Sequence, residues 1–209
     1  MPVGTYPAGA LRLVAPLIVA AAFFVSNQAF ADDPEELRLR FGEDAYAIGD
    51  TLVGVGAPDG AVFAAGERVR LDGPTGRSAH LVGRLVTVGA PVGGSVYAAG
   101  YDVSLEAPVT DDATLAGYDL RVSAPVGGTV RAAGYEVTLE APAGAFLARA
   151  ERVVLDAEIA GDARIMAKEV EFGPDARIAG TLTVPEDVVL LPPDRAVPGT
   201  APGLDPADP

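Results

Sequence analysis

The sequence predicts an all-β fold, a single-stranded right-handed parallel β-helix (β-solenoid) of about eight rungs with 16 or 17 residues each. Two observations predict it. Glycine and proline each recur at a step of 17 residues, and apolar and polar residues alternate between them. Each unit is too short to bury an apolar face alone, so units must stack. The recurring residues are Gly66, Gly83, Gly100, Gly117 and Gly134, with Pro74, Pro91, Pro108, Pro125 and Pro142.

The alternation inside each unit has a period of two, which is typical of a β-strand with one buried face. A second apolar pair follows each proline by five and seven residues, for example Val96 and Ala98 after Pro91, so we expect two or three short strands per rung. The positions predicted to point inward in the three best-matched units are Val103, Leu105, Ala107, Val109, Leu120, Val122, Ala124, Val126, Val137, Leu139, Ala141 and Ala143.

Glycine and proline mark the predicted corners of each rung. Glycine permits positive φ without steric cost, and proline followed by glycine is a turn signal. Neither residue suits the middle of a helix, so stacked helical repeats are excluded. A left-handed hexapeptide solenoid is also excluded, because it needs a period near 18. In the outer rungs, at residues 53–58, 153–157 and 170–174, the spacing slips to 16, as expected for capping units.

The two ends of the chain have different compositions from the repeats. Residues 1–31 resemble a signal peptide, with Arg12, an apolar stretch at 13–25 and small residues before the expected cleavage site. We expect export to a bacterial periplasm or cell surface, with no transmembrane span after cleavage. A charged N-terminal lead-in or cap at 32–48 precedes the solenoid at 49–184. A Pro-rich tail at 185–209 lacks the apolar content to fold by itself.

The charge of the chain limits its partners. Its formal net charge is -14, with no cysteine and one histidine. Disulfides and thiol chemistry are excluded, and nucleic acid is not expected as a partner because no basic stripe is present. An anionic membrane surface is disfavoured for the same reason.

Stacking in register predicts two outward rows as a candidate ligand-binding site. Tyr101, Tyr118 and Tyr135 follow the corner glycine in successive rungs, and stacked aromatic rings could bind a sugar. The alternative is a structural corner stack. The second row holds the acidic residues Asp102, Asp119 and Glu136.

Carboxylates on adjacent rungs could bind a divalent cation or act on a polysaccharide. Glu106 and Glu140 recur four positions after the first and last of these acids, but interspersed Ser, Thr and Arg residues favour a solvated surface. We therefore expect no catalytic residue, no metal and no cofactor. The glycine-rich segment 54–60 does not fit a phosphate loop, Asp111 and Asp112 fit turn chemistry, and His80 is predicted to lie on the surface.

The recurrent rungs, including residues 128–134 and 160–165, make residues 49–184 resemble the bactofilin family of polymer-forming bacterial cytoskeletal proteins. The resemblance implies a compact right-handed β-helix whose ends associate into nucleotide-free filaments that act as scaffolds. The predicted signal peptide departs from that family, whose members are usually cytoplasmic.

Three functions are therefore compared. The leading hypothesis is an exported, non-enzymatic scaffold protein of bactofilin type that self-assembles into a homo-oligomer or polymer through its solenoid ends. The alternative is a periplasmic or surface β-helix that binds cell-envelope polysaccharide along the Tyr and carboxylate rows. A β-helical lyase or hydrolase is the least favoured, because the loops between rungs are too short to build a catalytic site.

Overall fold

A computed structural model describes residues 36–191. This part of the chain is all-β, without a helix, and forms a β-solenoid of about nine turns with parallel stacked coils. The predicted fold class is confirmed, with one turn more than the sequence indicated. The predicted signal peptide at 1–31 and the tail from residue 192 onward lie outside the described residues.

The described residues form strands that belong to one continuous sheet. They are β1 (Leu37–Phe41), β2 (Asp44–Ile48), β3 (Thr51–Ala57), β4 (Val62–Thr75), β5 (Ala79–Val88), β6 (Val96–Leu105), β7 (Ala113–Val122), β8 (Val126–Ala133), β9 (Glu136–Leu139), β10 (Ala143–Arg149), β11 (Arg152–Leu155), β12 (Glu158–Ile159), β13 (Ala163–Met166), β14 (Glu169–Phe172), β15 (Arg177–Ile178), β16 (Leu182–Thr183) and β17 (Val189–Leu191).

Each coil has three sides, named here by their outward residues. The aromatic face is formed by β2, the first halves of β4 to β7, then β8, β10, β13 and β16. The acidic face is formed by β3, the second halves of β4 to β7, then β9, β11, β14 and β17. The proline face consists of single bridges that continue into β12 and β15.

The core is a continuous apolar column enclosed by these three faces. All twelve residues predicted to point inward between Val103 and Ala143 are buried. The second apolar pair of each rung is buried as well, as at Val96 and Ala98. The period-two alternation therefore identified the buried side of every central strand.

The step between paired residues changes from 17 to 16 at a defined position in the solenoid. From β4 to β7, residues pair at a step of 17, as in Val86 with Val103. Between β8 and β10 the step shortens, because Val126 pairs with Ala143 but Val130 pairs with Phe146. The shorter step at this corner, where Gly127 and Gly128 align with Gly144, explains the spacing of 16. The last coils are longer, since Ala163 pairs with Leu182.

The corner glycines are required for a different reason from the one predicted. Among the described residues only Gly42 and Gly54 have positive φ, so the expectation of positive φ at the repeated corner was wrong. At Gly100, a Cβ atom would lie 2.5 Å from the carbonyl oxygen of Gly83 in the rung below. The corner therefore needs glycine because two backbones approach closely there.

The solenoid extends beyond the predicted bounds of 49–184 at both ends. Strand β2, placed by the sequence in the lead-in at 32–48, pairs in parallel with β4 and so belongs to the first coil. Strand β17, placed in the tail, pairs in parallel with β14. Strand β1 acts as a cap, since it pairs antiparallel with β2 across a tight turn at Gly42.

Candidate functional site

The three predicted tyrosines lie together on the corner between the aromatic and acidic faces. Tyr101, Tyr118 and Tyr135 stack with ring centroids 4.9 Å and 4.7 Å apart, and their rings are parallel to within 3°. Each side chain is about half exposed. The stack follows directly from the sequence, because one tyrosine per rung at a fixed corner must repeat at the strand spacing.

The geometry of the stack determines what it can bind. Parallel rings at this separation overlap in the offset manner that aromatic pairs prefer, so they cover each other's faces. Their edges and hydroxyl groups remain for solvent. A sugar packs its C–H groups against the electron-rich face of a ring rather than against its edge. The arrangement therefore favours a structural corner stack over a sugar-binding strip.

Charged residues continue the same corner row on both sides of the tyrosines. Arg84 pairs with Glu67 at 3.4 Å, and Lys168 pairs with Glu151 at 2.8 Å. The pKa of the Tyr118 hydroxyl is raised, first by desolvation and then by its tyrosine neighbours and by nearby carboxylates. Tyr118 therefore stays neutral at physiological pH and contributes no charge to the row.

The predicted carboxylate row is in register but forms no metal site. Asp102 pairs with Asp119, which pairs with Glu136. Among residues 36–191, no group of three or more His, Asp or Glu side chains is arranged to hold a metal ion.

The two further glutamates on this face lie next to arginines. Arg121 donates to Glu140 at 2.7 Å, and Arg70 lies 3.7 Å from Glu106. Both pairs support the interpretation of this surface as a solvated array of mixed charge.

Asp112 has a structural role at a corner, as its turn position predicted. Its Oδ1 atom accepts a hydrogen bond from the Thr129 amide at 2.7 Å, and its Oδ2 atom accepts one from Arg131 at 2.9 Å. These contacts lower the pKa of the Asp112 carboxyl, the Thr129 bond having the larger effect. Asp44 and Asp162 make the same bond to the amide of the next rung, so this carboxylate joins successive rungs.

The sequence interpretation missed a second aromatic stack, on the aromatic face. Tyr46, Phe63, His80 and Tyr97 lie on four successive rungs, with ring centroids 4.7 to 4.9 Å apart. His80 points outward as predicted, but it is half-buried between Phe63 and Tyr97. Burial lowers the pKa of His80 below its usual value. The signal was present in the sequence, since these four residues are also spaced by 17.

The N-terminal end of the solenoid is closed by β1. Its register with β2 places Arg38 and Arg40 opposite the buried Ala47 and Ala45, on the side of the core. Arg38 donates to the Val53 carbonyl oxygen at 2.6 Å. A cavity of about 300 Å³ lies between these arginines and the first coil.

The most exposed large apolar side chains lie at the two ends. Phe41 is 78% exposed, Leu37 61%, Ile48 59% and Leu39 58%, and all four lie on β1 or β2. Val189, 56% exposed, lies on β17 in the last turn. Within residues 36–191, strands β1 and β2 therefore expose four large apolar side chains and the last turn exposes one.

The chain matches no known family model, no curated protein and no solved structure. Residues 36–191 also contain no helix long and apolar enough to cross a bilayer.

Proposed function

We propose that this chain is an exported, non-enzymatic structural protein of bactofilin type that assembles through the two ends of its solenoid. The observation that carries the proposal is the group of four exposed apolar side chains in the first turn, together with the exposed Val189 in the last. Contiguous exposed apolar surface on a soluble protein marks a site of association. The bactofilin resemblance rests on the recurrent rungs of the sequence.

The backbone at both ends supports the same proposal. Within the described part of the chain, β1 pairs with β2 alone and β17 pairs with β14 alone. Each terminal strand therefore has an outer edge whose N–H and C=O groups have no strand partner there. Such an edge pairs readily with a strand of another copy, and the pairing would also bury Leu39 or Val189.

The two ends differ in chemistry, and the difference makes the proposal testable. Strand β1 runs antiparallel to the coil and carries arginines on its inward side, whereas β17 continues the parallel coil and exposes Val189. If like ends associate, blocking one end leaves dimers joined through the other end. If unlike ends associate, blocking either end abolishes all end-to-end contact.

The test is sedimentation velocity of the purified full chain over a range of concentrations, with electron microscopy of the same samples. Phe41→Glu blocks the N-terminal end and Val189→Glu blocks the C-terminal end. Thr87→Glu adds the same charge in the middle of the acidic face and serves as the control. We expect end-to-end polymers for the wild type and Thr87→Glu, and no end-to-end polymers for the two end variants. A wild-type chain that stays monomeric at every salt and protein concentration would overturn the proposal.

A further inference from the structure

The outward surface of the aromatic face differs in charge from the rest of this acidic chain. No Asp or Glu occupies its two central outward rows. The first row contains Tyr46, Phe63, His80, Tyr97, Thr114, Arg131, Leu147 and Arg164, and the second contains Ile48, Ala65, Val82, Ala99, Ala116, Ala133, Arg149 and Met166. The acidic face, in contrast, exposes Asp102 and Glu106.

These residues are distributed asymmetrically along the solenoid axis. The aromatic stack occupies the N-terminal half, and the arginines occupy the C-terminal half. The middle of the face, at Thr114 and Ala116, has small side chains. Among residues 36–191, neither Arg149 nor Arg164 forms an ion pair, while Arg131 lies 2.9 Å from Asp112.

The two halves are related by a simple symmetry about Thr114. Tyr97 and Arg131 are its immediate neighbours on either side. Phe63 and Arg164 lie three rungs away on either side. In the second row, the residues two rungs from Ala116 are Val82 and Arg149. In these three pairs a ring or aliphatic side chain on one side corresponds to an arginine on the other, whereas His80 corresponds to Leu147.

We propose that the aromatic face binds the same face of a second copy, with the two solenoid axes antiparallel. The two-fold axis runs parallel to the strands and passes between the two Thr114 residues. This rotation places Arg131 against the partner's Tyr97 and Arg164 against the partner's Phe63. Arginine over an aromatic ring is a favourable cation–π pair, and each pair occurs twice in the dimer.

The size and charge of the face suit such a contact. Nine strands at ~4.8 Å by four residues at ~3.3 Å give roughly 570 Å² per copy, or about 1,100 Å² for the pair, which exceeds the ~1,000 Å² needed for a specific interface. Two chains of net charge -14 repel each other, so they must meet on a surface free of carboxylates. The two central rows of the aromatic face are such a surface, because Asp44, Asp112 and Asp162 lie at its edge, where its strands begin. Sheets also pack face to face with aligned strands.

Thiol cross-linking of the purified full chain tests this contact, because the native sequence has no cysteine. Thr114→Cys should form a dimer with a short bismaleimide, whereas Thr87→Cys on the acidic face should not. Phe63→Cys and Arg164→Cys should cross-link only when mixed, since the two copies of Phe63 lie six rungs, or about 29 Å, apart in the proposed pair. Contacts through the solenoid ends would not bring these positions together, so the result is independent of end association.

The strength of the contact is measured by sedimentation of variants that carry Phe41→Glu and Val189→Glu, so that association through the ends is absent. Adding Arg164→Glu should weaken the remaining dimer by at least tenfold in Kd, while Arg68→Glu on the acidic face should leave it unchanged. Absence of the Thr114→Cys dimer would overturn the proposal, as would self-cross-linking of Phe63→Cys. It would also be overturned if the chain stayed monomeric and bound phosphatidylglycerol–phosphatidylcholine vesicles through Arg164, since the face would then be a membrane surface.

Discussion

Thr75 offers the sharpest test of how the core is packed. Its side chain is buried on the proline face, where Val92, Val109 and Val126 hold the equivalent position in the next three rungs. Among the described residues, the Thr75 hydroxyl has no hydrogen-bond partner. Replacing Thr75 with Val keeps the shape of the side chain and removes the buried hydroxyl.

Thr75→Val should raise the free energy of unfolding by about 1–2 kcal/mol, because a hydroxyl without a partner in an apolar environment destabilises the folded state by that amount. For a chain of this size, that corresponds to a rise in Tm of about 2–8 °C. Urea denaturation followed by circular dichroism measures the change, with an unaltered m value as a check that the denatured state is the same. The reciprocal variant Val92→Thr places a hydroxyl in the next rung, so its free energy of unfolding should fall by a similar amount. A Thr75→Val protein no more stable than the wild type would show that the Thr75 hydroxyl has a hydrogen-bond partner and that its burial costs nothing.

Three further predictions concern the corners and the two aromatic stacks. Gly100→Ala places its Cβ 2.5 Å from the Gly83 carbonyl oxygen, so the free energy of unfolding measured in urea should fall by about 1–3 kcal/mol. A fall of less than about 0.5 kcal/mol would contradict the close approach of the two backbones. Tyr118→Phe should keep the stability of the wild type, whereas Tyr118→Ala should lower the free energy of unfolding by about 1–2 kcal/mol. Equal losses in the two variants would show that the hydroxyl, rather than ring stacking, stabilises this corner. Because the folded-state pKa of His80 is lowered, the unfolded state takes up a proton first, so stability should fall as the pH drops below 6.5. In His80→Phe, the free energy of unfolding should depend less on pH between 7.5 and 5.5. An unchanged dependence would show that other titratable groups cause it.

Much of the fold could be predicted because the repeat constrains it strongly. Inward positions such as Val103 and Leu120 follow from period-two alternation, and stacking in register follows from the constant step of 17. The tyrosine stack was predicted for the same reason. These features depend only on local spacing, which the sequence displays directly.

The remaining features depend on contacts between rungs and on how the array ends. The reason for glycine at the corner is the carbonyl oxygen of the rung below, as at Gly100 above Gly83, and this is visible only in three dimensions. The antiparallel direction of β1 could not be predicted, because residues 37–41 alternate Leu and Arg without showing which side faces the core. The His80 stack could have been found by following aromatic residues at the repeat spacing.

Electron cryomicroscopy of the assembled full chain tests association through the solenoid ends most directly. We predict filaments in which the solenoid axis lies along the filament, with strands stacked every ~4.8 Å and a subunit length of about 43 Å for nine turns. The filaments should be lost in both Phe41→Glu and Val189→Glu. Solenoid axes lying across the filament, or a wild-type protein that is monomeric under all conditions, would contradict it.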